Sequence, residues 1–212
     1  MTTLTRQKRT DLMVTDEISD RDLLNLCIAD PSLSICQDDI FWRDRFFRKY
    51  GRLEKSPNKT WKTFYLEIIY YMDKTEQSVN WAMEIAARRG HQDLVDFFIS
   101  QGAEDWNRGM HAAAEGGHQD LVEFFIRKGA NNFNSGLEAA AFRGDRELVD
   151  FFIGEGANAW DAGMKAAAFR GDRELVDFFI QKGSRAWFSG SNAAFKGGHP
   201  TLVRFFREKM NQ

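Results

Sequence analysis

The sequence predicts an all-α protein, a solenoid of five short helix–turn–helix repeats preceded by a helical capping module. Three periodic features support this fold class. A glycine recurs every 27 residues, a Leu-Val pair begins four residues after each glycine, and a Phe-Phe doublet follows. These features divide the second part of the chain into 79–105, 106–132, 133–159, 160–186 and 187–212. The glycines are Gly90, Gly117, Gly144, Gly171 and Gly198, and the doublets run from Phe97-Phe98 to Phe205-Phe206.

Each repeat carries the signature of two helices. The third doublet lies in a run from Leu148 to Ile153 with apolar residues at i, i+3 and i+4, which is typical of an amphipathic helix. Asp145 precedes this run and is a suitable N-cap, and Gly156 follows it and suits a left-handed C-cap. The preceding helix is the alanine-rich stretch 139–141, whose small side chains let backbones approach closely. No strand is needed to fill the period.

The repeats resemble ankyrin repeats. The segment 117–130 is similar to the second helix and cap of that family, with Phe where Leu is usual, and 113–116 resembles the end of its first helix. Ankyrin units run to about 33 residues; here the β-turn finger shrinks to links such as 131–136. The resemblance implies a protein-binding scaffold whose partner lies on a concave surface. The compact, Phe-rich array further resembles ankyrin-like proteins of large DNA viruses of amoebae, which implies a viral protein acting on host or viral proteins.

Residues 1–78 lack the 27-residue period and form a second module. Apolar spacing predicts a helix from Asp22, another through Asp39 to Phe47, a loop at 55–59 and a helix from Trp61 to Met72. We expect the last of these helices to dock on the first repeat.

Part of this module resembles an F-box. The resemblance rests on the run 22–27, on Cys36 and on Phe41-Trp42-Arg43, which are similar to the back half of that motif. It implies binding to the Skp-type adaptor of cullin ubiquitin ligases, with Asp22, Leu23 and Asn25 as adaptor contacts. The family's Leu-Pro start and first helix are not evident before residue 21. The module is therefore either a substrate receptor for a ubiquitin ligase or a plain cap on a binding scaffold.

Composition bears on the compartment. The two cysteines, Cys27 and Cys36, do not resemble a secreted disulfide framework, so we expect two reduced, half-buried thiols. The stretch from Met1 to Asp11 lacks the apolar core of a signal peptide, and no run approaches the ~18 apolar residues of a membrane helix. These features predict a soluble protein of the host cytoplasm or nucleus, or one packaged in the virion.

No constellation indicates catalysis, a cofactor or a metal. Three histidines follow repeat glycines, in a column that also holds Asp145 and Asp172, which indicates a local backbone hydrogen bond. His111 can cap its own helix, and no nucleophile or ligand set accompanies it. The sequence therefore predicts a protein that is not an enzyme. The three histidines of the column are His91, His118 and His199.

The formal net charge of −2 predicts neither a nucleic-acid nor a membrane partner. A local basic stretch has two interpretations, an acidic-partner patch or the solvated surface of two helices and a loop, and the second is favoured. The aromatic residues of the shortened links either form a ligand-binding ladder or pack in the core, and packing is favoured. The basic residues are Arg43, Arg45, Arg48, Lys49, Arg52, Lys55, Lys59 and Lys62; the link aromatics are Trp106, Phe133, Trp160 and Trp187.

The two positions before each repeat glycine vary while their neighbours do not, so we expect a partner to bind there. Aromatic and arginine side chains are enriched in protein interfaces. In the alternative, the rings of Phe142 and Phe169 pack beneath Trp160 and Trp187 and belong to the core. A structural role in the virion also stays open. The hypothetical partner-binding residues are Phe142, Arg143, Phe169, Arg170, Arg88 and Arg89.

Overall fold

The computed structural model describes residues 19–51, 55–74 and 78–211. Within these ranges the chain forms fourteen α-helices and no strand, which confirms the predicted fold class. The N-terminal helices are α1 Asp20–Ala29, α2 Ser34–Gln37, α3 Asp39–Tyr50 and α4 Trp61–Lys74. The repeats contain α5 Val79–Arg88, α6 Gln92–Ser100, α7 Trp106–Gly116, α8 Gln119–Lys128, α9 Phe133–Arg143, α10 Arg146–Gly154, α11 Trp160–Arg170, α12 Arg173–Lys182, α13 Trp187–Lys196 and α14 Pro200–Met210. None of the described helices is long and apolar enough to cross a bilayer.

The contacts divide the chain into two compact units. The first contains the described residues up to Ala82 together with Asp93–Ala103, and the second contains Met83–Gln92 and the residues from Glu104 onward. The second helix of the first repeat therefore belongs to the N-terminal unit. The sequence places the end of the N-terminal module at residue 78 because the 27-residue repeat begins at residue 79. This boundary stays a prediction.

The first unit is built around an aromatic core. Phe46 of α3 is fully buried and lies between rings of three helices, with centroid distances of 5.5 Å to Phe64 and 5.8 Å to Phe97. Phe64 also contacts Phe97 at 6.2 Å, and Tyr71 contacts Phe98 at the same distance. Helix α4 thus packs on the second helix of the first repeat, as the sequence predicts.

The cysteines correct an expectation. Cys27 of α1 and Cys36 of α2 form a disulfide, with their Cα atoms 5.5 Å apart, and both are buried. Two reduced, half-buried thiols were expected because so few cysteines do not make a disulfide framework. The turn that begins at Pro31, between α1 and α2, brings them together.

The second unit stacks inner helices (α7, α9, α11, α13) against outer helices (α8, α10, α12, α14). The Leu, the Val and the second Phe of each outer helix are buried, as Leu148, Val149 and Phe152 show. A glycine of the inner helix lies beneath that Phe: an added Cβ at Gly136 would stand under 3.0 Å from three ring atoms of Phe152. Gly109, Gly163 and Gly190 lie in the same way beneath Phe125, Phe179 and Phe206, with at least two ring atoms under 3.0 Å from an added Cβ.

The predicted caps are present. Asp145 accepts a hydrogen bond from the backbone N–H of Leu148 at 3.1 Å, and Asp172 accepts one from Leu175 at 2.9 Å. Gly156 and Gly183 follow the outer helices with φ of 100° and 114°, values that only glycine adopts without strain.

Asparagine side chains of the inner helices bind the backbone of the shortened links, and we call each of these contacts a clamp. Asn107 of α7 accepts hydrogen bonds from the backbone N–H groups of Asn131 and Asn132, each at 2.9 Å. Asn134 repeats this one unit later, with Asn158 and Ala159 as donors. The aromatic residues expected in the links instead begin the inner helices and are half-buried, which agrees with a packing role.

Candidate protein-binding groove

The inner helices of repeats two to five line a cavity of about 650 Å³, called here the inner-helix groove. Its walls are columns of residues that occupy equivalent positions 27 residues apart. Because the columns are related by steps of i, i+1 and i+4, they lie on one face of each helix. The first column is His111, Glu138, Lys165 and Asn192; the second is Ala139, Ala166 and Ala193; the third is Glu115, Phe142, Phe169 and Lys196; Phe188 and Ser189 complete the lining.

A stacked pair of rings is the main apolar feature of this groove. Phe142 and Phe169 lie with their ring centroids 5.6 Å apart and their planes 27° from parallel. Their relative exposures are 48% and 39%, so they are not tucked beneath the aromatic residues of the links. The axes of neighbouring packed helices usually lie roughly 10 Å apart. The two side chains extend toward each other, so their rings lie closer together than the helix axes.

The charges in the groove are mostly paired. The ammonium group of Lys165 lies 3.0 Å from Glu138. Glu115 pairs with Arg88 at 2.6 Å and lies 3.4 Å from the Nε2 atom of His111. In the described part of the chain, Lys196 has no ion-pair partner.

Arg88 and Arg89 both lie on the surface before the first repeat glycine. Burial lowers the pKa of the Arg88 guanidinium, but hydrogen bonds and charge from Glu115 and Glu84 outweigh this effect and raise it above its ordinary value. Arg88 therefore ties α5 to α7 through two carboxylates. Its role as a partner contact stays a prediction.

Arg143 and Arg170 are separated from the two rings, although the sequence groups them as one site. They line a different cavity of about 590 Å³, at the turn that contains Gly144 and Asp145. Arg143 covers Gly117 of the preceding repeat, and Arg170 covers Gly144. The structure therefore gives both arginines a packing role between repeats.

The histidine column corrects a second expectation. His118 does not cap its own helix; its Nε2 atom lies 3.2 Å from the carbonyl oxygen of Arg88 in the preceding repeat. His199 likewise contacts the carbonyl oxygen of Phe169 at 3.0 Å. Because a carbonyl only accepts, Nε2 donates in both bonds.

His111 corrects a third expectation, because it bridges repeats and does not cap its helix. Its Nδ1 atom lies 2.9 Å from the hydroxyl oxygen of Ser135 and 3.1 Å from that residue's carbonyl oxygen. Across the described ranges, no group of three or more His, Cys, Asp or Glu side chains has the arrangement of a metal site.

The three residues of the adaptor-binding hypothesis differ in their exposure. Asp22 and Asn25 are exposed on α1, but Leu23 is fully buried in the first unit. Leucine at this position supports the core of the first unit, and the adaptor-binding role of the three residues stays a prediction. The apolar side chains that α1 does expose are Leu26 and Ile28.

Much of the basic stretch is paired within the first unit. Arg45 and Lys49 both bind the carboxylate of Asp20. Lys59 contacts Glu67 at 2.7 Å and Asp93 at 3.2 Å, and burial lowers its pKa less than these carboxylates raise it. Arg52, also part of the stretch, lies outside the described residues.

Sequence reasoning missed the column formed by Glu138, Lys165 and Asn192, and it missed Phe188. The available signal was variation at a fixed repeat position. The same signal found Phe142 and Phe169, but it was applied only to the two residues before each glycine.

The fold defines a helical repeat protein, and the groove lies along its inner helices. Residues 83–161 match the family model described as ankyrin repeats (3 copies). No curated protein matches the chain. The match covers three repeats, and the remaining helix pairs continue in the same 27-residue register.

Proposed function

We propose that this chain is a non-enzymatic protein-binding scaffold and that the inner-helix groove holds an apolar segment of a protein partner. The single observation that carries this proposal is the exposed, stacked pair Phe142 and Phe169. Ankyrin repeats generally mediate protein–protein interactions, which agrees with the proposal.

The rings are not needed to stack the repeats. Their column holds Glu115 in the second repeat and Lys196 in the fifth, so the same backbone position accepts acidic, aromatic and basic side chains. By contrast, the columns that hold the repeats together keep Leu, Val and Phe throughout. Exposed aromatic surface is favourable to bury, and aromatic residues are enriched at protein interfaces. A binding role explains the rings better than a folding role.

The test is the double variant Phe142→Ala with Phe169→Ala. We expect it to lose a partner that the unmodified chain captures from host-cell extract, with the difference measured by quantitative mass spectrometry and then by calorimetry with the purified partner. Its melting temperature should stay within a few degrees, whereas Leu148→Ala should cost about 2–5 kcal/mol as a packed core leucine.

Phe195→Ala is the matched control, because this ring is 73% exposed and lies outside the groove lining. It should keep the partner. Equal losses in both variants would refute the groove as the binding site. A loss of stability in the double variant comparable to that of Leu148→Ala would show that the rings belong to the core.

We propose as a second function that the first unit recruits a Skp-type adaptor, so that the chain acts as an F-box-like substrate receptor. The observation in its favour is that α1 exposes apolar side chains, Leu26 and Ile28, beside the polar Asp22 and Asn25. Titration of the full chain with purified adaptor tests it. Ile28→Asp should abolish binding, and Ile40→Asp, at another exposed isoleucine of this unit, should not. An unmodified chain that binds no adaptor would refute this function.

The setting follows from the viral resemblance. We propose a viral protein that acts on host or viral proteins in the cytoplasm or nucleus of the infected cell. The Cys27–Cys36 disulfide removes the cysteine-based support for a reducing compartment, so this setting rests on the resemblance. A high copy number in purified particles would instead support a structural role in the virion.

A further inference from the structure

The charge of the groove indicates what kind of segment it binds. Glu138 and Lys165 neutralise each other, and Glu115 is engaged by Arg88. Lys196 is exposed, lines the same groove, and has no ion-pair partner among the described residues. A partner with a negative charge at this point complements the groove, and one with a positive charge is repelled.

The apolar contact and the charge have a fixed spacing. Phe169 and Lys196 occupy the same column in adjacent repeats, so their backbones stand about 8–10 Å apart, the usual distance between packed helices. An extended segment in the polyproline II conformation has three residues per turn and rises about 3.1 Å per residue, so side chains three positions apart lie on one face, about 9 Å from each other. Phe188, which is 75% exposed, adds apolar surface to the lining near this end of the groove.

Resting on the proposed function, we infer that the groove recognises an extended segment with an apolar residue and, about three positions away, an Asp or Glu. The apolar side chain packs on the rings of Phe142 and Phe169. The carboxylate pairs with the ammonium group of Lys196. Recognition thus requires both features at one spacing, which separates this segment from a merely hydrophobic one.

The test is a phage-displayed library of random twelve-residue peptides, selected on the full chain. Selected peptides should share an apolar residue and an acidic residue about three positions apart. Replacing their acidic residue with Asn or Gln should weaken binding to the unmodified chain about fivefold, the upper range for an exposed ion pair. Lys196→Glu should weaken it further, and a peptide with Lys at the acidic position should recover binding to Lys196→Glu.

Lys182→Glu is the charge-matched control, since Lys182 is exposed on an outer helix away from the groove lining. It should leave peptide affinity within about twofold, because exposed charges beyond a Debye length of about 8–10 Å are screened. Peptides that need Phe142 and Phe169 but ignore Lys196 would overturn this inference and leave the proposed function standing. Peptides that ignore the rings as well would overturn both.

Discussion

The packing of Gly136 under Phe152 gives the sharpest test of how the repeats are held together. Gly136 lies within α9, and an added Cβ would stand under 3.0 Å from three atoms of the fully buried Phe152 ring. Gly136→Ala gains about 1 kcal/mol of helix propensity. It also forces a methyl group into a filled space, which costs about 1–3 kcal/mol, occasionally more. We expect the cost of the clash to exceed the gain in helix propensity, because the Phe152 ring that the methyl group meets is fully buried.

The matched control is Gly154→Ala, at the end of α10. An added Cβ there meets nothing within 4 Å, so only the propensity gain remains. In urea unfolding followed by far-UV circular dichroism, Gly136→Ala should be less stable than Gly154→Ala by about 1–3 kcal/mol, the overpacking cost. Combining Gly136→Ala with Phe152→Leu should recover part of that loss.

Equal stabilisation by Gly136→Ala and Gly154→Ala would refute this account of the stack. It would mean that the inner and outer helices separate enough to admit a methyl group, and that the glycine column does not set their distance.

Three other predictions concern single contacts. Cys36→Ser should destabilise the first unit by about 3 kcal/mol, the loop-closure value for roughly ten residues, measured by urea unfolding; two alkylated thiols in the native, unreduced chain would contradict the disulfide. Burial raises the pKa of the Asp20 carboxyl, but hydrogen bonds from Lys49, Tyr65 and Arg45 outweigh it, so that pKa lies below its ordinary value. The stability that Asp20 contributes is therefore present above the unfolded pKa of about 3.9 and is lost as the pH falls through the lower folded value; Asp20→Asn should flatten unfolding-versus-pH curves in that window, and an unchanged acid slope would be evidence against the pairing. Asn134→Ala should cost about 0.5–1.5 kcal/mol, the usual net value of a hydrogen bond, because two exposed N–H groups of the link lose their acceptor. A loss below about 0.5 kcal/mol, within the usual range for surface substitutions, would show that water replaces the clamp.

Much of the fold could be predicted from the sequence because the same residue pattern recurs in each repeat. The apolar spacing from Leu148 to Ile153 fixes which face of the outer helix is buried, and Asp145 and Gly156 fix where that helix begins and ends. These are local effects, governed by helix geometry and by backbone groups that need a partner at each helix end.

The groove could be predicted only in part. Variation at a fixed repeat position identified Phe142 and Phe169, and the structure places them together in one groove. The same rule added Arg143 and Arg170, which line another cavity. Residues adjacent in sequence differ by about 100° around a helix of 3.6 residues per turn, so two neighbours need not face the same way.

By itself, the sequence determined the all-α class, the 27-residue register and the buried columns, because these depend on periodicity along one chain. Only the tertiary structure decided which residue on another helix a side chain reaches. His118 bonds back to Arg88, Asn107 clamps the link at Asn131, and Cys27 meets Cys36. Such contacts depend on the distance and rotation between neighbouring helices. In the repeats, packing contacts such as Phe152 on Gly136 set that distance, and no local sequence pattern encodes it.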